Sequence, residues 1–74
     1  MRVRVKCFAT LADHTPPNGF LDLHDGATVE ALLPLVGLGP GDIKLIFVNS
    51  RNSGMETELA DGDQVGIFPA VGGG

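Results

Sequence analysis

Gln64-Val65-Gly66-Ile67-Phe68-Pro69-Ala70-Val71-Gly72-Gly73-Gly74 runs from a strand pattern straight into three glycines. Glycine loses the most backbone freedom on ordering and has no side chain to bury, so nothing in folding asks for three of them after an apolar strand. The expected form is a folded domain over residues 1–71 and a flexible arm over 72–74. Such an arm fits a channel too narrow for a Cβ, and it ends on an unhindered carboxylate. Gly74 is thus the candidate reactive residue and Gly73 the one whose bare Cα permits threading.

Working back from there, Asp61-Gly62-Asp63 is a tight turn feeding the strand Gln64 to Phe68. At the other end, Arg2-Val3-Arg4-Val5-Lys6-Cys7-Phe8 alternates strictly, with Val3, Val5 and Cys7 on one face and Arg2, Arg4, Lys6 and Phe8 on the other. Thr15-Pro16-Pro17 excludes regular structure, and Asn18-Gly19 turns the chain into a short strand, Phe20 to Leu23, expected to pair antiparallel with the first. Thr28 has the chemistry of a helix N-cap, with Glu30 at the positive end of the dipole. Val29, Leu32, Leu33 and Val36 then form one apolar stripe. Pro34 removes the hydrogen bond to the Glu30 carbonyl at a cost of about 3 kcal/mol, which predicts a short or kinked helix ended by Gly37-Leu38-Gly39-Pro40-Gly41. Ile43 to Val48 is almost continuously apolar and reads as a strand covered on both faces. Asn49 to Gly54 reads as a polar turn, and Met55 to Leu59 has little pattern. Strand, strand, helix, strand, strand predicts an α+β domain in which one short helix crosses a mixed sheet.

Composition narrows the function. Seventy-four residues make one small domain, and 43% hydrophobic content with mean hydropathy +0.21 indicates a folded chain. Only 19% of residues are charged, so some apolar surface is expected to serve a partner. Nine acidic residues against five basic ones, net charge −4, argue against nucleic acid as that partner. No apolar run approaches the roughly 18 residues of a membrane span, so no membrane partner is expected. A single cysteine forms no internal disulfide or thiolate metal site, which fits a reducing cytoplasm.

Val48-Asn49, Leu59-Ala60-Asp61-Gly62-Asp63-Gln64-Val65 and Ile67-Phe68-Pro69-Ala70-Val71-Gly72-Gly73-Gly74 resemble the C-terminal half of the MoaD/ThiS family of ubiquitin-like sulfur carriers. Phe8-Ala9-Thr10-Leu11-Ala12 is similar to the segment after that family's first strand, and Phe68-Pro69-Ala70-Val71 places the chain nearer the MoaD branch, the small subunits of molybdopterin synthase. Pro34, Ala70 and the third glycine depart from the MoaD pattern; a triple-glycine end also occurs in the ThiS branch, so a ThiS-like carrier for thiamine thiazole synthesis stands as the alternative. The resemblance implies a β-grasp (ubiquitin-like) fold and no enzyme activity of its own. It further implies no bound cofactor, with ATP used by an adenylating partner similar to MoeB or ThiF. That partner would activate Gly74, a sulfide or persulfide would displace AMP to leave a thiocarboxylate, and the sulfur would pass to a large synthase subunit similar to MoaE or to another acceptor enzyme. Partner contacts are expected at Phe8, Phe68, Pro69, Val71 and Gly72, with Arg2, Arg4 and Lys6 as a rim.

Several features have plainer readings. Phe8 and Phe68 are equally compatible with being covered by their own chain. Cys7 reads as a small core residue. His14 and His24 read as solvated loop histidines, too few and too separated for a metal site. Asp61-Gly62-Asp63 lacks the remaining ligands of a calcium loop, and Gly37, Gly39 and Gly41 lack the lysine of a phosphate-binding loop. Beside the carrier reading stand a non-covalent interaction module and a protein tag whose Gly74 forms an amide with lysine.

Overall fold

Residues 1–70 are described by the computed structural model. The alternation at the N-terminus becomes β1, Arg2–Cys7, in which Val3, Val5 and Cys7 are buried and Arg2, Arg4 and Lys6 exposed. β2, Phe20–Asp22, pairs antiparallel with it, Val3 opposite Leu21. β3, Ile43–Val48, β4, Arg51–Asn52, and β5, Gln64–Pro69, complete one sheet in the order β2-β1-β5-β3-β4. The first and last strands are parallel neighbours, Val5 opposite Val65 and Cys7 opposite Ile67. A central parallel pair flanked by antiparallel strands, with one helical crossing between the two hairpin-like halves, is the β-grasp arrangement.

The helix is as short as Pro34 requires. α1 spans Val29–Leu32, and Leu33–Val36 continues as a 3₁₀ turn with Pro34 in its first half. Thr28 caps α1, its Oγ1 accepting from the Ala31 amide at 3.4 Å. The Val29 and Glu30 amides, orphaned at a helix start, donate to the Thr57 and Met55 carbonyls, both at 3.0 Å. Met55 to Leu59 therefore has a backbone task, which is why its side chains carry little pattern. At the other end the Gly37 amide donates to the Pro34 carbonyl and the Leu38 amide to the Leu33 carbonyl, with Gly37 at φ +77°, a Schellman closure in which glycine avoids the Cβ penalty.

Val29, Leu32, Leu33 and Val36 pack with Val3, Val5, Ile46, Val65 and Ile67 in a single core on one side of the sheet. Leu32, Leu33, Ile67, Val3, Val5 and Val29 are the largest fully buried side chains, each worth about 1.5–3 kcal/mol in burial. Cys7 is buried among them, as its place in the alternation predicts.

The turns in the family-like motifs hold strands in register. Asn49 donates from Nδ2 to Asp63 Oδ1 at 2.8 Å and accepts from the Gln64 amide at 3.0 Å, while Asp63 Oδ2 accepts from the Ala60 amide and the Asp63 carbonyl from the Arg4 amide, both at 2.8 Å. Asp61-Gly62-Asp63 is thus a turn stitched to both β1 and β3, with Gly62 at φ +86°.

Three expectations need correction. β3 is not covered on both faces: Ile46 and Val48 are buried, but Leu45 is 38% exposed and Phe47 half-buried, and the register shifts between Ile43 and Leu45. The polar turn contains the two-residue β4, formed after Asn49 and Ser50 both take positive φ (+52° and +69°) and fold the chain back. His14 is not a solvated loop histidine. It is partly buried, its Nδ1 donating to the Val36 carbonyl at 2.8 Å, so it ties the segment after β1 to the end of the helical crossing.

Candidate functional site: the outer face of the sheet

The side of the sheet opposite the helix carries the outward half of every alternation. β1 contributes Arg2, Arg4 and Lys6, and Phe8 extends the same row, its amide donating to the Ile67 carbonyl at 3.0 Å. Immediately afterwards Ala9 takes φ +52°, a left-handed conformation costing about 1 kcal/mol for a residue with a Cβ. The chain turns away there, leaving the Phe8 ring flat on Phe68 of the neighbouring strand with centroids 4.3 Å apart and planes 2° from parallel. Phe47 of β3 meets Phe68 edge-on at 5.6 Å and 85°. Rings arranged this way add roughly 0.5–1.5 kcal/mol per pair beyond area burial.

Gly66 makes room for this cluster. It lies between Lys6 and Phe47 in the register, and a Cβ placed on it would come within 3.4 Å of Phe8 Cε2 and 3.7 Å of Phe68 Cε1. A glycine inside a strand marks a close approach of some other group. Here that group is the pair of phenylalanine rings lying over the backbone. On the far side of β1, Phe20 is 38% exposed. The Arg4 guanidinium sits 5.0 Å from its ring centroid and that of Arg2 5.7 Å, while the Lys6 ammonium is 5.2 Å from the Phe8 centroid. An open depression of about 780 Å³ runs along this face, its floor including Arg4, Lys6, Phe8, Gly66 and Phe68.

All four phenylalanines of the chain therefore lie on the outer face, and the buried core contains none of them. The largest apolar side chains usually fill the interior. Their collection on one open face, with cations beside them, is the composition of a protein-binding surface.

The structure brings Phe8 and Phe68 together as a half-buried, stacked pair. Pro69 is placed differently: it closes β5 opposite Ile43 and is buried. Past it, the Ala70 amide donates to the Asp42 carbonyl at 3.1 Å. Val71, Gly72, Gly73 and Gly74 lie outside the described residues. Sequence reasoning missed Phe47, Phe20, Leu45 and Gly66 as parts of the face. Each sits at an outward position of its strand, and the isolated Gly66 inside an apolar strand was the available signal.

Electrostatics set apart the two sides of β1. Burial pushes the Cys7 thiol above its usual range, against a smaller opposing effect from the Thr15 hydroxyl. A buried, protonated thiol of this kind is a packing group rather than a nucleophile. Outside, the Arg2 guanidinium hydrogen-bonds Asp22 at 2.9 Å and holds its carboxyl below the usual range. Among the described residues, no cluster of three or more His, Cys, Asp and Glu is placed to hold a metal.

No curated protein sequence matches the chain. Among solved structures, a Pyrococcus furiosus protein assigned provisionally as molybdopterin converting factor, subunit 1, is 31% identical, with TM-score 0.75 over 95% of this chain and 98% of that one. SAMP1 from Haloferax volcanii is 27% identical, with TM-score 0.73 over the whole of both chains. A second structure of that small archaeal modifier protein 1 is 20% identical at TM-score 0.72, and shares the fold. The ThiS family model matches residues 5–74, nearly the whole sequence including its glycine end. The chain belongs to the ThiS family, the ubiquitin-like sulfur carriers of ThiS and MoaD type, which act as non-catalytic protein co-substrates.

Proposed function

We propose that the chain carries sulfur as a thiocarboxylate on Gly74 for the biosynthesis of molybdopterin, the organic part of the molybdenum or tungsten cofactor. A carboxylate resists nucleophiles because of its charge. Attack of the Gly74 carboxylate on the α-phosphorus of ATP expels pyrophosphate and leaves an acyl adenylate. Sulfide, or a persulfide whose S–S bond a second thiol then cleaves, displaces AMP and leaves sulfur on the glycine. ATP binds to the adenylating partner, an enzyme similar to MoeB or ThiF, and no cofactor resides on this chain. The acceptor is a large synthase subunit similar to MoaE.

The observation that carries this reading is the family match through residue 74 on a domain whose four phenylalanines all face outward. Ordering the tail in a partner's channel costs about 1–2 kcal/mol per residue of backbone freedom. Docking of the Phe8, Phe68 and Phe47 face offsets that cost, while Gly72 and Gly73 enter the channel. The 31% identity to the Pyrococcus furiosus protein favours the molybdopterin branch over the thiamine branch.

The likeness to small archaeal modifier protein 1 along the full length of both chains favours a second reading, in which the activated Gly74 carboxyl passes to a lysine amine of another protein. Both readings share the adenylate and diverge at the nucleophile. The test is intact mass after incubation with ATP, sulfide and an adenylating enzyme from the same cell. A gain equal to exchange of one oxygen for sulfur, lost when Gly74 is deleted, is the expected result. An isopeptide-linked product without that gain favours the modifier, and no change with an enzyme active on its own carrier refutes both.

A further inference from the structure

The charges of this small domain are sorted by element. All five cations lie on strands: Arg2, Arg4 and Lys6 on β1, Lys44 on β3 and Arg51 on β4. Of the nine Asp and Glu side chains only Asp22 is on a strand of the sheet; Glu58 forms an isolated bridge with Thr28, and the others occupy turns, loops and helical segments. Asp22 is already engaged by Arg2, through Nε at 2.9 Å and a second guanidinium nitrogen at 3.3 Å. Among the described residues, neither Arg4 nor Lys6 has a carboxylate within ion-pair distance, and both lie against aromatic rings. Lys44 and Arg51 are likewise without an ion pair among the described residues, but neither lies over an aromatic ring, so Arg4 and Lys6 are the two uncompensated cations that stand beside the aromatic face of a molecule of net charge −4.

We propose that this face selects a protein partner whose docking surface has an apolar centre flanked by two carboxylates, one for Arg4 and one for Lys6. The inference deepens the carrier reading and rests on it for the identity of the partner. Arg4 and Lys6 are two residues apart on one strand face, which sets their backbone origins about 6.5–7 Å apart. Their charged ends lie over different rings, Phe20 for Arg4 and Phe8 for Lys6, so the two matching carboxylates belong at separate points on the partner and not at one shared acidic spot. The rings restrict both side chains before docking, so less rotamer freedom is lost when the ion pairs form. At physiological salt the screening length is about 8 Å, so the −4 of the whole molecule acts weakly at the contact while the two cations act in full. An acidic partner is favoured at this face and disfavoured elsewhere on the acidic molecule, which fixes orientation. A nucleic-acid backbone is the competing anion; two cations on an acidic chain provide few of the phosphate contacts it needs.

The test uses the full-length chain and the adenylating enzyme, measuring Kd by calorimetry at two salt concentrations beside thiocarboxylate formation. Arg4→Glu with Lys6→Glu is compared with Lys44→Glu with Arg51→Glu, an equal change in net charge on other strands, after each melting curve shows a folded domain. The expected result is a loss of affinity of about tenfold or more for the β1 pair, with the β3 and β4 pair within about twofold of the parent. The parent's affinity should fall with salt more steeply than that of Arg4→Gln with Lys6→Gln. Equal losses for the two reversed pairs, or a parent affinity independent of salt, overturn the inference alone. Binding without thiocarboxylate formation overturns the carrier reading alone. No binding to the enzyme, or preferential binding of the parent to a duplex oligonucleotide, overturns this inference.

Discussion

The two faces of the sheet are built from alternate residues of the same strands, yet they differ in kind. The inner face is aliphatic, with Val3, Val5, Cys7, Ile46, Val48, Val65 and Ile67 closed over by Val29, Leu32, Leu33 and Val36. The outer face is aromatic and cationic, with Phe8, Phe47 and Phe68 around a bare Gly66, Phe20 across β1, and Arg4 and Lys6 beside the rings. The inner face holds the domain together through shape and burial. The outer face keeps its largest apolar groups where the domain gains least from them. That division separates stability from recognition, and substitutions on each face should act on different observables.

The largest effect belongs to the inner face. Leu32→Ala should destabilise the domain by about 2–5 kcal/mol, measured by denaturant unfolding, because it leaves a cavity under α1. That is a large share of the stability of a small domain, so a loss below 1 kcal/mol would break the comparison. Phe68→Ala should cost only about 1–2 kcal/mol in folding, since its ring is half-buried, yet weaken binding to the adenylating enzyme by about 2 kcal/mol or more, roughly 30-fold. A stability loss as large as that of Leu32→Ala, with binding intact, would return Phe68 to the core. The smallest effect concerns Asp22, whose carboxyl is held below the usual range by the hydrogen bond and charge of Arg2. A lowered folded value means a contribution present above the ordinary carboxylate range near pH 4 and lost as pH falls through the folded value. Thermal melts of Asp22→Asn should lie slightly below the parent at neutral pH and converge with it in acid, and added salt should shrink the gap because both groups are exposed.

The same contrast explains what was readable in the sequence. The inner face announced itself through the alternation of β1 and the α1 stripe, because burial imposes a period. Pro34 correctly predicted a helix cut short, since a missing amide has no remedy within an α-helix. β4 had no signal: it is two polar residues long, and its existence depends on Asn49 and Ser50 adopting positive φ. β3 was misread because outward apolar residues imitate a strand covered on both sides, and Leu45 and Phe47 are apolar without being enclosed. Phe8 and Phe68 were legible as outward, and their stacking followed once β1 and β5 lay parallel. Phe47 and Phe20 were not, because their facing depends on registers that only the assembled sheet defines. The reading of the glycine end rests on residue type alone and lies outside the described residues, and the chemistry proposed for it comes from family likeness.

The Ala70 amide, one residue past β5, donates to the Asp42 carbonyl. Asp42 stands at the entry to β3, so this one bond pins the end of β5 to the start of its neighbour. Whatever follows Ala70 therefore starts from a fixed origin on the same rigid body as the aromatic face. On the carrier reading, grip and delivery share one frame, and a partner that holds the face also sets where the tail begins.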